Sequence, residues 1–234
     1  MLAIINREFK NYFSSPVGYA VMCVLLLFGG FYYAYAFSYG SADMTYVFNS
    51  LITIIFFVVP VITMRLFSEE KKQKTDQLLI TSPVSIWAIV FGKFLAALLY
   101  FCVFLVILSL YNFIFMFFGA TPDMLIFLGN IVGLILFASS LIAIGIFISS
   151  LTESQVVAAV GSFSVSFFLL LLDNLSGIFN NDVITKICSW ISFSDRYYSF
   201  TEGIFDISNF VFFISIVVVF LFLTVRMIDR KRWA

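Results

Sequence analysis

The sequence predicts an all-α integral membrane protein, and three observations lead to that prediction. Of the 234 residues, 62% are hydrophobic and only 11% are charged, whereas a soluble domain is about 45–50% apolar and about 25% charged. Apolar runs of the length that crosses a bilayer as a helix, about 20 residues, recur along the chain. The 13 basic residues are balanced by 13 acidic residues, so no net basic charge is available to attract nucleic acid.

The composition also limits the chemistry that the chain can perform by itself. It has no histidine, which excludes His-based triads and His-ligated metals. Its three cysteines have no CxxC spacing. Gly92 and Lys93 are followed by Phe94, and Trp87 stands where a phosphate-binding loop would begin with glycine. We therefore expect no catalytic residue, metal or cofactor in this chain, and any energy for transport must come from a second chain.

Residues 1–16 are expected to form an interfacial amphipathic helix. Apolar residues recur there at steps of three or four, and Arg7 and Lys10 lie on the other side. Ser15 and Pro16 end the helix, because the residue before proline avoids the helical region. A frayed basic N-terminus is the alternative interpretation.

Six membrane spans follow within one predicted transmembrane domain, 1–234. The fifth span is the shortest. The predicted spans cover residues 17–37, 46–64, 94–118, 124–149, 156–172 and 210–227. Two longer polar segments separate them, a loop at 65–85 and a segment at 173–209.

The positions of lysine and arginine predict the orientation. With the N-terminus inside, 11 of the 13 basic residues face the cytoplasm, and only Lys186 and Arg196 face outward. Both termini are therefore expected to be cytoplasmic, and 65–85 becomes the first inner loop.

The interiors of the spans lack the charged residues that proton- or sodium-driven carriers use. Lys93 is expected to extend along its own stem to the cytoplasmic headgroups. Small residues recur at helical spacing, with Gly129 and Gly133 in one span and Ala158, Ser162 and Ser166 in the next. Such a stripe is typical of close helix packing within a subunit, and also of a subunit interface or a pathway wall.

The first inner loop is predicted to contain a short amphipathic helix parallel to the membrane. Ser68 can cap its N-terminus, and Glu69 and Glu70 then occupy the favourable first turn. Leu78, Leu79 and Ile80 give the far end an apolar face, and Ser82-Pro83 stops it. A solvated loop joining two spans is the alternative. Ser85 is expected to cap the third span.

The second inner loop contains Thr152, Glu153 and Gln155. Thr152-x-x-Gln155 has the spacing of a capping box for the fifth span, and a plain tight turn is the alternative.

Several motifs, spread along the chain in order, carry a resemblance to a known family. They are Tyr12-Phe-Ser-Ser-Pro-Val-Gly18, Met64-Arg-Leu-Phe-Ser-Glu-Glu-Lys71, Thr75-x-x-Leu78-Leu79-x-Thr81-Ser82-Pro83, Gly92-Lys93, Ile148-Ser-Ser-Leu-Thr-x-x-Gln155 and Phe200-x-x-Gly203-x-x-Asp206. In these motifs the chain resembles ABC-2-type transporter permeases, and more narrowly the permease subunits of the gliding-motility type.

The resemblance implies six membrane helices per subunit, an elbow helix at the N-terminus, a cytoplasmic coupling helix and short outer re-entrant helices within 173–209. It implies a second permease subunit, identical or related, and two copies of a cytoplasmic ATPase that holds ATP and Mg. A third subunit with an extracellular domain is a further possibility that the resemblance raises, and the bacterial inner membrane is the implied location. The contacts with the ATPase become Glu69, Glu70, Thr75, Leu78, Leu79, Ser82 and Pro83.

These expectations combine into a permease of an ATP-driven exporter for a lipid-like, peptide or other amphiphilic cargo. A membrane-embedded enzyme is disfavoured, because no general base accompanies the span serines. The alternative is a mechanical transmitter that uses ATP without moving a substrate, since a fold does not fix a function.

Overall fold

The computed structural model describes residues 1–38, 44–75, 84–117, 123–175 and 190–232, and these are helical apart from short connections. The helices are α1 (Leu2–Ser14), α2 (Pro16–Ser38), α3 (Met44–Thr63), α4 (Arg65–Lys72), α5 (Ile86–Phe117), α6 (Met124–Leu151), α7 (Gln155–Leu175), α8 (Phe193–Thr201) and α9 (Ile207–Arg232).

Six of the described helices are long and apolar enough to cross a membrane, which confirms the predicted fold class. They are α2, α3 with α4, α5, α6, α7 and α9. Helix α6 lies at the centre, where it packs against α3, α5, α7, α8 and α9, and it is the most buried of the six.

The junction between α1 and α2 forms as the sequence predicts. Ser15 is extended, with φ −97° and ψ 139°, and Pro16 begins the next helix, where its missing N–H costs nothing. The chain turns so tightly that a Cβ on Gly18 would lie 1.9 Å from the Tyr12 carbonyl oxygen. Only glycine fits there.

The predicted start of the helix in the first inner loop is wrong, and α4 ends at Lys72. Only Met64, itself in a helical conformation, separates α3 from α4. Ser68 is therefore not a cap but a buried residue inside α4, where its hydroxyl donates to the Met64 carbonyl. Glu69 and Glu70 consequently lie in the second half of the helix. The predicted far end of the helix, with Leu78, Leu79, Ser82 and Pro83, lies outside the described residues.

Helix α5 begins at Ile86, eight residues before the predicted third span. Ser85 caps it as expected, because its hydroxyl accepts the Ala88 N–H at 3.3 Å. The helix passes straight through Lys93, which lies within its buried part.

Helix α8 belongs to the predicted outer segment, of which residues 176–189 lie outside the described part. It packs on α6 at Gly129 and Gly133, where an added Cβ would lie 2.6 Å from the Phe200 carbonyl oxygen and 2.9 Å from Tyr197. The Tyr197 hydroxyl donates to Asn130 Oδ1 at 2.9 Å. The glycine pair therefore serves packing within the subunit.

The stripe Ala158, Ser162 and Ser166 on α7 is also buried within this chain, against the bundle. The interpretation as packing within a subunit accounts for both small-residue motifs.

Candidate functional site

A polar cleft of about 470 Å³ opens where α1 meets α4 and the start of α5. We call it the terminal cleft. Its lining comprises Arg7, Glu8, Asn11, Tyr12, Ser14, Ser15, Arg65, Leu66, Glu69, Glu70, Gln73, Thr75 and Lys93. It lies at the end of the bundle that carries α1 and the α6–α7 connection; α8 lies at the opposite, distal end.

Lys93 is the centre of a buried ion cluster in this cleft. Only 1% of its side chain is exposed, and its ammonium lies 2.9 Å from Glu70 Oε1 and 3.2 Å from Glu8 Oε1. It also donates to the Leu66 carbonyl at 2.7 Å. The expected extension to the lipid headgroups is therefore wrong, because carboxylates from α1 and α4 reach the ammonium inside the protein.

Arg7 completes the cluster. Its guanidinium lies 2.9 Å from Glu70 Oε1 and also pairs with the neighbouring Glu8. Two carboxylates and two cations thus cancel, which is the condition for burying charge without a large penalty. The cluster joins three helices that are far apart in sequence: α1, α4 and α5.

The pKa of Glu8 reflects this pairing. Burial acts to raise the pKa of its carboxyl, but the Lys93 ammonium and the Arg7 guanidinium outweigh burial and leave the pKa below its ordinary value. Glu8 is therefore ionised at neutral pH, as its role in the cluster requires.

The C-terminal end of α6 fixes the start of α4. The Ser149 hydroxyl accepts the N–H groups of Phe67 and Ser68 at 3.1 and 3.2 Å, and donates to the Met64 carbonyl at 3.1 Å. Lys71 donates to the Ser150 carbonyl from a buried position. These bonds satisfy backbone groups at the junction of α3 and α4 and anchor α4 to the central helix.

Tyr12 attaches the end of α1 to two other helices. Its ring stacks on Tyr100 with centroids 4.8 Å apart, and its hydroxyl donates to the Ile62 carbonyl at 3.1 Å. Tyr100 in turn donates to the Gly18 carbonyl at 2.6 Å.

Helix α4 ends in a Schellman motif, and Gln73 and Thr75 of this motif line the terminal cleft. Thr75 N–H bonds to the Glu70 carbonyl at 2.9 Å, and Lys74 N–H bonds to the Lys71 carbonyl at 3.0 Å. The residue in the left-handed position is Lys74, with φ 57°, where glycine is usual. The chain therefore leaves α4 under mild backbone strain, with Lys72, Gln73 and Lys74 exposed.

The second loop differs from its predicted capping box. Helix α7 begins at Gln155, so Gln155 is its first residue rather than its third. The Thr152 hydroxyl instead accepts the N–H of Ser154 at 3.1 Å, a local turn within the loop. Glu153 is exposed. Because α4 contacts both α6 and α7, this loop lies on the same end of the molecule as α4.

The structure divides the predicted contact residues into two groups. Glu69 is partly exposed and pairs with Arg65 at 3.1 Å, and Thr75 is partly buried. Glu70 instead lies inside the ion cluster, and its Oε2 is buried with no hydrogen-bond partner among the described residues.

Sequence reasoning missed Arg7, Glu8 and Ser149, and it placed Lys93 wrongly. A signal was present in the sequence. Glu8 falls one turn from Ile4 and Tyr12, on the apolar side of α1, and Lys93 interrupts an apolar run. An acid and a base in such positions require partners.

Among the described residues, six helices long and apolar enough to cross a membrane define a multi-pass membrane protein. The chain belongs to the ABC-2 family of transporters, because the family model described as "ABC-2 family transporter protein" matches residues 2–233. It is accordingly the membrane-spanning permease subunit of an ABC transporter, a class that works with a separate ATPase subunit. No curated protein matches the chain in sequence.

Proposed function

We propose that this permease exports an amphiphilic cargo and is driven by an ATPase that docks beside the terminal cleft. ATP and Mg are held by the ATPase. This chain contributes the docking surface and the moving helices, and none of its residues performs covalent chemistry. ATP can drive the spans only if the docked contacts differ in free energy between nucleotide states.

The observation that carries the proposal is the attachment of α4 to its neighbours. Lys93, Glu8 and Arg7 tie α4 to α1 and α5 through Glu70, and Ser149 ties it to α6. A displacement of α4 by a docked partner is therefore passed to three other helices at once.

The proposed contact surface is the exposed end of α4 with the adjoining second loop. It includes Glu69, Thr75 and the exposed Lys72, Gln73 and Lys74, with Leu151 and Glu153 across the end of α6. Leu78, Leu79, Ser82 and Pro83 lie outside the described residues and belong to the proposed contacts on the sequence alone. Glu70, held by Lys93 and Arg7 in the cluster, acts as a positioning residue rather than as a direct contact.

The orientation and assembly belong to the same proposal. The end that carries α1 and α4 is rich in lysine and arginine, so we place it, with both termini, on the cytoplasmic side of a bacterial inner membrane. A second permease, identical or related, and two ATPase copies complete the transporter.

A crosslinking experiment tests the docking surface. In a chain whose three cysteines are replaced by serine, Lys74→Cys and Leu151→Cys are expected to crosslink to the ATPase that co-purifies with the permease. Trp190→Cys, exposed at the distal end, is the matched control and should not. If neither terminal-end cysteine captures an ATPase while the complex is intact, the docking assignment is wrong.

A second measurement separates transport from a mechanical role. The complex is reconstituted in liposomes, and ATP hydrolysis is followed together with the movement of lipid-like and peptide cargoes. Glu69→Lys is expected to reduce hydrolysis that depends on the permease while leaving membrane insertion unchanged. Hydrolysis by the wild-type complex with no movement of any amphiphile would favour the mechanical transmitter.

A further inference from the structure

A second cleft, of about 370 Å³, lies at the distal end between α3, α7 and α8. We call it the distal cleft. Its polar lining consists of Asn49, Thr53, Ser194, Asp195 and Tyr198, and its apolar lining of Ile52, Phe56 and Leu170. This combination of an apolar wall with a few convergent polar groups is typical of small-molecule sites, and the volume is in their usual range.

One wall of the distal cleft is rigidly held. Phe193, Tyr197 and Phe200 on one face of α8 are buried against the bundle, so the other face, with Asp195 and Tyr198, is turned to the cleft. The N-terminus of α8 is capped by Ser192, whose hydroxyl accepts the Asp195 N–H at 3.0 Å. A site on a fixed element of this kind can be selective.

The opposite wall of the distal cleft, formed by α3, carries polar side chains that interact unfavourably with lipid. Asn49 and Thr53 are one turn apart on α3 and face the cleft, and Thr53 is exposed. Thr53 lies about 14 Å along the helix from its Met44 end, at 1.5 Å per residue. Polar side chains exposed on a membrane-spanning helix are costly against hydrocarbon, so Asn49 and Thr53 favour water or a polar ligand group in the cleft.

The charge of the lining identifies the ligand class. Asp195 is its charged member, and no lysine or arginine lines the cleft among the described residues. The neighbouring Arg196 is turned away, with its guanidinium 3.1 Å from Asn209 Oδ1 and 4.2 Å from the Phe212 ring centroid. Within the part of the chain that the structure describes, the cleft therefore presents a carboxylate, an aromatic ring, hydroxyls and an amide, and no cation.

We propose that the distal cleft binds an amphiphile with a cationic head group. Asp195 pairs with the ammonium, the exposed Tyr198 ring supplies a cation–π contact, and Ile52, Phe56 and Leu170 pack against the first part of the apolar chain. As a cargo site this rests on the proposed exporter function, and it names the cargo class; as a binding site it stands by itself.

The test measures binding to the permease in nanodiscs of zwitterionic lipid. Energy transfer from the protein's tryptophans to a dansyl-labelled alkyl trimethylammonium probe is titrated, and unlabelled dodecyltrimethylammonium is used to displace the probe. We expect a saturable, displaceable signal for this probe and none for the alkyl sulfonate of equal length. Asp195→Asn should weaken binding about tenfold, the order expected for a lost contact with a charged group.

Two further variants control this result. Glu202→Gln removes an equal charge at the end of α8, from an exposed residue outside the cleft lining, and should bind like wild type. Thr53→Phe fills the cleft from the α3 side and should abolish saturation. Each variant is accepted only if its melting temperature matches that of wild type.

Equal binding by Asp195→Asn and wild type would overturn the proposal. So would an equal loss in Glu202→Gln, which would indicate surface potential alone, or saturable binding of the sulfonate. The ATPase is absent from this assay, so probe binding by a permease that captures no ATPase would overturn the proposed function and leave the distal site standing.

Discussion

At the level of single residues, Lys93 shows how a charge inside a membrane protein depends on its partners. Its ammonium is almost fully buried between Glu8 and Glu70 and lies 5.0 Å from the Phe67 ring centroid. The mutual attraction of these groups offsets the cost of removing each from water. Removing one partner leaves the others buried without full compensation.

Lys93→Met is expected to destabilise the permease by roughly 3–5 kcal/mol, the usual cost of breaking a buried ion pair from one side. The measurement is the free energy of unfolding in mixed micelles with increasing denaturing detergent. Lys72→Met removes an exposed lysine of α4 and should change stability by less than about 0.5 kcal/mol. Equal losses in both variants would contradict the buried cluster.

Glu8 makes stability depend on pH in the acid range. Because its pKa is lower in the folded protein than in the unfolded chain, its contribution is complete above the unfolded pKa of about 4.3. The contribution is lost as the pH falls through the folded pKa.

The contribution of Glu8 to the free energy of unfolding is therefore expected to stay constant from pH 7 to about pH 5 and to decrease below about pH 5. In Glu8→Gln the acid-dependent decrease should be smaller. The check is denaturation of both proteins at a series of pH values between 7 and 3.5. A Glu8→Gln variant with an unchanged acid slope would show that Glu8 is not held in the pair.

At the level of elements, the end of α4 carries a lysine where glycine is favoured. Lys74 has φ 57° in the Schellman motif, a conformation that costs an L-residue about 1 kcal/mol or more. Lys74→Gly should therefore stabilise the permease by about 0.5–1 kcal/mol. Lys72→Gly, in a helical position of α4, should destabilise it by a similar amount. Denaturation midpoints of the two variants measure the difference, and a loss of stability in both would contradict the left-handed turn.

The packing of α8 on α6 depends on two glycines without side chains. Gly129→Ala is expected to cost about 1–3 kcal/mol, because its Cβ would lie 2.6 Å from a carbonyl oxygen. Gly133→Ala would press on Tyr197 and Phe200. In α2, a Cβ on Gly30 would meet Tyr111 at an ordinary 3.5 Å, so Gly30→Ala is the matched control. Melting temperatures of the three variants should separate them, and similar values would argue against close packing of α8.

The elements differ in how far the sequence could specify them. The α1–α2 break followed from Ser15-Pro16, whose restriction is local. The Ser85 cap was equally local. The start of α4 was not, since Ser68 has the chemistry of a cap, but α3 continues through Met64 and Ser149 binds the backbone that a cap would have served. The start of α4 is therefore set by its contacts with α6, a segment distant in sequence.

The sequence indicates which segments adjoin the terminal cleft, but it does not indicate the ion pairs inside the cleft. The first and second loops, which the sequence singles out as contact segments, adjoin α4 at the end of the molecule that carries the terminal cleft. The different partners of Glu69, which pairs with Arg65 within α4, and Glu70, which joins the ion cluster, could not be read from neighbouring positions, because they depend on where Lys93 and Arg7 lie in space.

At the level of the whole molecule, α3 and α4 connect the two clefts. Residues Thr45–Lys72 form a nearly continuous helical stretch of 28 residues. Its distal part supplies Asn49 and Thr53 to the distal cleft, and its other end supplies Glu69 and Glu70 to the terminal cleft. Because Pro60 lacks the N–H that the preceding turn would use, the stretch has a natural point of bending between the two sites.

The proposed exporter requires these two ends to face opposite sides of the membrane, and the chain offers a direct check. In a background with Cys23, Cys102 and Cys188 replaced by serine, single cysteines are placed at Leu2 and Lys74 and at Trp190 and Ile204, all of them exposed. In intact spheroplasts a membrane-impermeant maleimide should label only the distal pair, and the other two should react only after lysis. The bias of basic residues toward the terminal end is the physical reason, since lysine and arginine near short loops are retained on the cytoplasmic side. Labelling of position 74 in intact spheroplasts would place the docking surface outside, beyond the reach of any cytoplasmic ATPase.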